Sequence, residues 1–179
     1  MKTTQHSLPD GTTLLIREAT VADATALLEY VEAVSRESDF LSFGPGEFGL
    51  SQAQEEAFLR KVATSSSEFY IVGLVNGSIV SSLTFSAGER PRERHRGEFG
   101  ISVRKQYWGL GIASLMLDRL LDWARSTQTI SKINLRVRVD NERAIRLYER
   151  KGFVREGRIS REAYIGGQYF SDYFMGLEL

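Results

Sequence analysis

Apolar and polar positions along this chain change period several times, and each change marks an element. Thr12 to Arg17 carries the apolar pattern of a short strand. Thr20, with Asp23 three residues on, opens a helix in which Val21, Ala24, Leu27, Leu28 and Val31 recur at helical spacing, to about Arg36. Ser38 to Leu50 contains Gly44, Pro45, Gly46 and Gly49, which predicts a loop with exposed Phe40, Phe43 and Phe48. Ser51 with Gln54 has the form of a capping box and starts a helix to about Ala63. Glu68 to Val75 and Ser78 to Phe85 flank Asn76-Gly77, a pair that readily supplies the positive φ angles of a tight hairpin turn. Ala87 to His95 is a loop, and a central strand follows it. A helix is predicted over Gly109 to Arg125 and a strand over Lys132 to Val139. Asn141 caps a short helix that ends at Gly152. Val154 to Ile165 and Gln168 to Glu178 are strands joined at Gly166-Gly167. The order is β-α-α-β-β-β-α-β-α-β-β. There is no repeat, low-complexity tract or composition break, so residues 1–179 are expected to form a single domain.

The junction between the central strand and the helix after it carries the most chemistry. The first N–H groups of a helix are unpaired and carry partial positive charge, so an anion placed there is both hydrogen-bonded and electrostatically favoured. Gly109 and Gly111 remove the Cβ atoms that would hold a pyrophosphate away from that backbone, and Arg104 and Lys105 add positive charge just before the turn. A dinucleotide fingerprint would need glycine or alanine where Ser114 stands, and a Walker loop would need a Gly-Lys-Ser/Thr ending. Neither fits.

The residues that do fit a pattern are Gln106-Tyr107-Trp108-Gly109-Leu110-Gly111, preceded by Ile101-Ser102-Val103 and followed by Ile112-Ala113. A second run, Asn141-Glu142-Arg143-Ala144-Ile145-Arg146-Leu147-Tyr148 through Gly152-Phe153, follows it. Together they resemble the acyl-CoA loop and the closing motif of the GNAT N-acetyltransferases, the branch with ribosomal-protein N-terminal and small-amine acetyltransferases. The resemblance implies a single-domain GNAT-like α/β fold whose central sheet is mixed, mostly antiparallel and flanked by helices. It implies acetyl-CoA as co-substrate, bound by Ile101, Ser102, Val103, Arg104, Gln106, Trp108, Gly109, Leu110, Gly111, Ile112, Ala113 and Asn141. Asn141 already has a sufficient role as a helix N-cap, and Trp108 either stacks on the cofactor or covers core.

Composition narrows the alternatives. The chain has 179 residues, with 23 basic and 23 acidic side chains, so no global attraction to nucleic acid or membrane is expected. No apolar run reaches a membrane-spanning length, and Met1 to Thr13 lacks the apolar region of a signal peptide. With the need for intracellular acetyl-CoA, this gives a cytoplasmic expectation. There is no cysteine, and His6 and His95 are too far apart in sequence for a metal motif, so no metal is expected. Arg90, Arg92, Arg94, His95 and Arg96 invite a nucleic-acid reading, but Glu89, Glu93 and Glu98 interleave with them and no aromatic platform accompanies them.

An alkylamine has a reference pKa of about 10.4 and must lose a proton before it attacks a thioester, while a departing thiol of pKa near 8.5 can take a proton from a phenol. Tyr148 stands where the family's motif places that phenol, which makes it the general acid; the competing role is packing helix against sheet. Glu98 is the expected base, against an ordinary ion pair with an arginine of the preceding loop. The resemblance brings the acceptor, a small amine or a peptide N-terminus, between the loop after the first helix and the last hairpin. Glu37, Phe40 and Tyr164 are the expected contacts, with Asp39, Glu47, Phe48 and Tyr169 nearby. The absence of cysteine favours direct transfer in a ternary complex. A non-catalytic acyl-CoA-binding or sensing domain is the alternative, and the resemblance admits a homodimer.

Overall fold

The polar start holds a strand that its pattern does not announce. In the computed structural model, which describes residues 3–179, β1 (Thr4–Ser7) pairs antiparallel with β2 (Thr13–Glu18). Its four residues are too few for a period to show. Met1 and Lys2, part of the expected 1–179 domain, lie outside the described residues.

The remaining elements follow the expected order: α1 (Ala24–Ser35), α2 (Gln52–Thr64), β3 (Glu68–Val75), β4 (Ser78–Ala87), β5 (Arg96–Val103), α3 (Ile112–Ser126), β6 (Lys132–Arg138), α4 (Glu142–Arg150), β7 (Val154–Ile165) and β8 (Gln168–Glu178). Both predicted hairpin turns form with left-handed backbone, φ 50° and 79° at Asn76-Gly77 and 57° and 85° at Gly166-Gly167. The Ser51 hydroxyl and the Gln54 side chain cap α2 reciprocally.

Two helix starts move. The turn from Val21 to Asp23 is 3-10, and α1 begins only at Ala24. The Asp23 carboxylate draws this turn tight by accepting from the Thr20 N–H and from both Arg17 guanidinium nitrogens, each at 2.7 Å. The helix expected from Gly109 begins at Ile112, because Gly109 (φ 90°) and Gly111 (φ 83°) are left-handed and cannot continue a right-handed helix. Phe43 and Phe48 are not exposed as expected: their rings meet at 5.0 Å and pack against the α1 and α2 core. Phe40 does remain exposed.

Among the described residues the strands form one sheet in the order β1-β2-β3-β4-β5-β6-β8-β7, and the only parallel pair is β5–β6. Parallel neighbours need a crossover, which α3 supplies. One face carries α3 and α4 over Phe85, Phe99, Ile133, Leu135 and Met175; the other carries α1 and α2 over Tyr70, Val72 and Leu74. β3 is buried on both faces, which is why Glu68–Val75 reads as a nearly continuous apolar run. The parallel ladder is short. It runs from Arg96↔Lys132 to Glu98↔Asn134 and stops, although β5 continues to Val103 and β6 to Arg138. Each strand stays paired on its outer side over that length, β5 with β4 and β6 with β8. The sheet therefore opens between its two parallel strands.

Candidate active site

The opening exposes strand backbone of a defined kind. The Arg104 N–H donates to the Val80 carbonyl, so alternation turns the backbone groups of Phe99, Ile101 and Val103 away from β4; beyond the last rung, the N–H and C=O of Ile101 and the N–H of Val103 face the opening. Unpaired strand edges accept an extended amide-bearing chain as an added strand. Of the expected stretch Ile101 to Val103, Ile101 and Val103 face the opening. Ser102 does not: its backbone belongs to the β4 ladder, and its hydroxyl lies 2.9 Å from the Tyr30 hydroxyl under α1.

At the wide end of the opening stands the glycine turn. A Cβ at Gly109 or Gly111 would meet nothing in the chain within 4 Å, so both glycines are required by their φ angles and leave open space on their outer side. No side chain caps α3, whereas Ser51 caps α2 and the Asn141 side chain accepts from the Ala144 N–H at 3.2 Å to cap α4. The first N–H groups of α3, at Ile112 and Ala113, are thus available to an anion. The Ile112 side chain is fully buried and anchors the helix start; Leu110 packs half-buried beside it, and Gln106 is exposed.

Two of the expected cofactor contacts have partners within the chain. Arg104 Nε donates to Glu37 at 2.9 Å, and the second Glu37 oxygen accepts from the Lys105 backbone N–H at 2.7 Å. Glu37 therefore ties the end of α1 to the start of the glycine turn, and Arg104 is partly neutralised. Trp108 neither covers core nor lies free. Its indole N–H donates to the Val103 carbonyl at 2.7 Å, and the Arg143 guanidinium sits 5.1 Å from its ring centre.

Tyr148, from α4, lies on the α3 and α4 face of the opening, 5.7 Å from the Phe99 ring and 6.0 Å from the Phe153 ring. Its hydroxyl has no hydrogen-bond partner among the described residues, and burial raises its pKa, so the phenol keeps its proton at neutral pH. Packing and a chemical role are both open to it. Glu98 lies on the opposite face, at the rung where the strands part. Its carboxylate is 3.7 Å from Arg136 Nε, and Arg136 also binds Glu162 at 2.6 Å. The arginine beside Glu98 thus comes from β6 and not from the preceding loop. Tyr148 and Glu98 flank the opening from its two sides.

The expected acceptor contacts separate. Phe40 borders the Glu98 face, with the Arg138 guanidinium 4.8 Å over its ring. The Tyr164 ring lies tilted against Tyr169, 4.8 Å between centres, near the tip of the last hairpin, and alternation puts both on the face away from Phe170 and Asp172. The Arg90 to Arg96 loop is exposed, with Arg96 paired to Glu93 at 3.1 Å. Two polar residues on the Glu98 face were not singled out by their sequence. Asn134 is beside Glu98 in the ladder, and Asp172 is across from Arg138. In the alternating run Lys132 to Arg138, Asn134 looks like one more outward polar position, and nothing local marks its burial.

No helix among the described residues is long and apolar enough to cross a membrane. The crystal structure of a GNAT-family acetyltransferase from Streptococcus pneumoniae matches this fold with a TM-score of 0.90 at 36% identity, over 93% of this chain and 99% of that one. The L-amino acid N-acetyltransferase AaaT of Escherichia coli is 32% identical over 105 residues, 59% of this chain and 65% of that protein. The spermidine N(1)-acetyltransferase of Vibrio cholerae is 40% identical over 76 residues, 42% of this chain and 44% of that protein. The chain thus spans less than two thirds of the length of either of these curated relatives. Residues 31–153 match the sequence model of the acetyltransferase (GNAT) family. That stretch contains both strands of the opening, the glycine turn and Tyr148, and the chain belongs to the acetyltransferase (GNAT) family.

Proposed function

We propose that this protein transfers an acetyl group from acetyl-CoA to a primary amine by direct attack. The observation that carries the reading is the opening between β5 and β6, with a bare helix start at one end and Tyr148 and Glu98 on opposite faces. The residues present fit the co-substrate. Left-handed Gly109 and Gly111 leave clear space outside the turn, the α3 N–H groups suit its phosphates, and the Ile101 backbone suits its amide arm. Asn141 keeps a free amide nitrogen for the same arm while its carbonyl caps α4. Acetyl-CoA, when bound, supplies the activated thioester.

The chain's own residues do the rest. The amine approaches from the Glu98 face, and Glu98 accepts its proton directly or through a water. A gap-facing N–H of β5 donates to the thioester oxygen as negative charge develops there. The new N–C bond forms as the C–S bond breaks, and the Tyr148 hydroxyl gives its proton to the departing sulfur. The sequence contains no cysteine, so an acetyl-cysteine intermediate has no residue to form on. The names of the amino-acid and spermidine acetyltransferase relatives support an amine as acceptor.

The test is acetyl-CoA-dependent thiol release against polyamines, amino acids, aminoglycosides and short peptides. Saturable turnover with one class is the expected result. Tight acetyl-CoA binding without turnover on any of them would instead make this an acyl-CoA-binding domain.

A further inference from the structure

Two buried oxygen atoms on the Glu98 face lack partners. Asn134 is 2% exposed, and its side-chain carbonyl accepts no hydrogen bond from any described residue. An unmet buried acceptor is destabilising, and a donor from outside the chain would relieve it. The second atom is an Asp172 carboxylate oxygen, also buried and unmet. Asp172 is opposite Arg138 in the β6–β8 ladder, yet the Arg138 guanidinium is committed elsewhere. It binds Asp140 and the Asp39 carbonyl and lies between the Phe40 and Phe170 rings, 4.8 and 3.8 Å from their centres. Burial and the nearby Glu162 charge raise the Asp172 pKa, outweighing the opposite pull of Arg138 and Arg136, neither of which bonds to the carboxylate.

We propose that the acceptor is a linear amine with a second cationic nitrogen: Asn134 receives the amine that is acetylated, and Asp172 holds the distal ammonium. The proposal rests on the acetyl-transfer reading. Asn134 and Arg138 are four residues apart on one face of β6, about 13 Å along the strand, and Asp172 is one strand over, about 5 Å away. With one hydrogen bond at each end, the site spans two nitrogens about 10 Å apart. Phe174, opposite Arg136 on the same face, lies between them and offers apolar surface to a methylene chain. Charge selects in the same direction. Arg136 is engaged by Glu98 and Glu162, and Arg138 by Asp140, so an α-carboxylate on the substrate would find no free cation on this face. A second ammonium would find Asp172.

Calorimetric titration of the protein, with and without coenzyme A, against linear monoamines and α,ω-diamines from propane to decane chains tests this. Thiol release is measured in parallel. A diamine with nitrogens about 10 Å apart is expected to bind at least tenfold more tightly than the monoamine of equal length, with weaker binding on either side of that length. Asp172→Asn should bring the diamine-to-monoamine ratio close to one, with coenzyme A binding as the check that the variant is folded. The length dependence is read on the unaltered protein, so it stands whether or not the variant folds. Equal affinity for monoamines and diamines at every length overturns the proposal, even with rapid turnover. Length-dependent diamine binding without thiol release supports the site and overturns the acetyl-transfer reading instead.

Discussion

Tyr148→Phe removes one oxygen atom and leaves the ring in place, which separates the packing role of this residue from its chemical one. The ring contacts at 5.7 Å to Phe99 and 6.0 Å to Phe153 are retained, and no hydrogen bond within the described chain is lost with the hydroxyl. Stability should therefore change by less than about 1 kcal/mol, a shift in Tm of no more than about 4 °C for a chain of this size. Catalysis should respond very differently. General acid catalysis contributes a factor of about 10² to 10⁴, or about 2.7 to 5.4 kcal/mol of barrier, so kcat should fall by that factor while acetyl-CoA affinity holds. Thermal unfolding, calorimetric acetyl-CoA binding and initial rates of thiol release measure the three quantities on the same preparation. A variant with parental Tm and a kcat within twofold of the parent would refute the assignment of Tyr148 as the acid and leave it a packing residue. A large loss of both Tm and kcat would mean that the hydroxyl has a structural partner, contrary to the geometry.

Gly111→Ala forces a Cβ onto a residue at φ 83° and should cost about 1–2 kcal/mol, lowering Tm by about 3–6 °C. The same methyl projects into the clear space outside the turn, so acetyl-CoA affinity by calorimetry should fall as well; unchanged affinity would mean that the phosphates bind elsewhere. Gly97→Ala would drive its methyl onto the Ser86 carbonyl and the Phe85 ring, backbone and core that cannot yield easily, and should cost more than about 3 kcal/mol in urea unfolding. Burial raises the pKa of Tyr30, Tyr70 and Tyr148, so the folded chain keeps these protons above pH 10 while the unfolded chain loses them. Their contribution is intact below pH 10 and declines above it, by about 1.4 kcal/mol per pH unit for each tyrosine. Urea unfolding at pH 9 and pH 11 should show the decline, and Tyr30→Phe should make it shallower.

The turns, caps and element order of this chain were legible in its sequence because they are local. Asn76-Gly77 and Gly166-Gly167 reach left-handed backbone by themselves, and Ser51 and Asn141 cap helices through residues three positions away. The glycine turn and the Asn141 to Phe153 run pointed to the fold for the same reason, since each motif keeps its residues within one short segment. What a residue meets on its side of the sheet depends on strands far apart in sequence. Only the tertiary structure gave Glu37 to Arg104, 67 positions apart, and turned Tyr164 away from the face that Phe40 borders. It also showed that the β5–β6 ladder ends at Glu98 and Asn134 while β4 and β8 still hold the two strands on their outer sides. Asn134 shows the difference most clearly. Its place in an alternating strand predicts its face, but its burial arises from neighbours on other strands, and a periodicity of two carries no information about them.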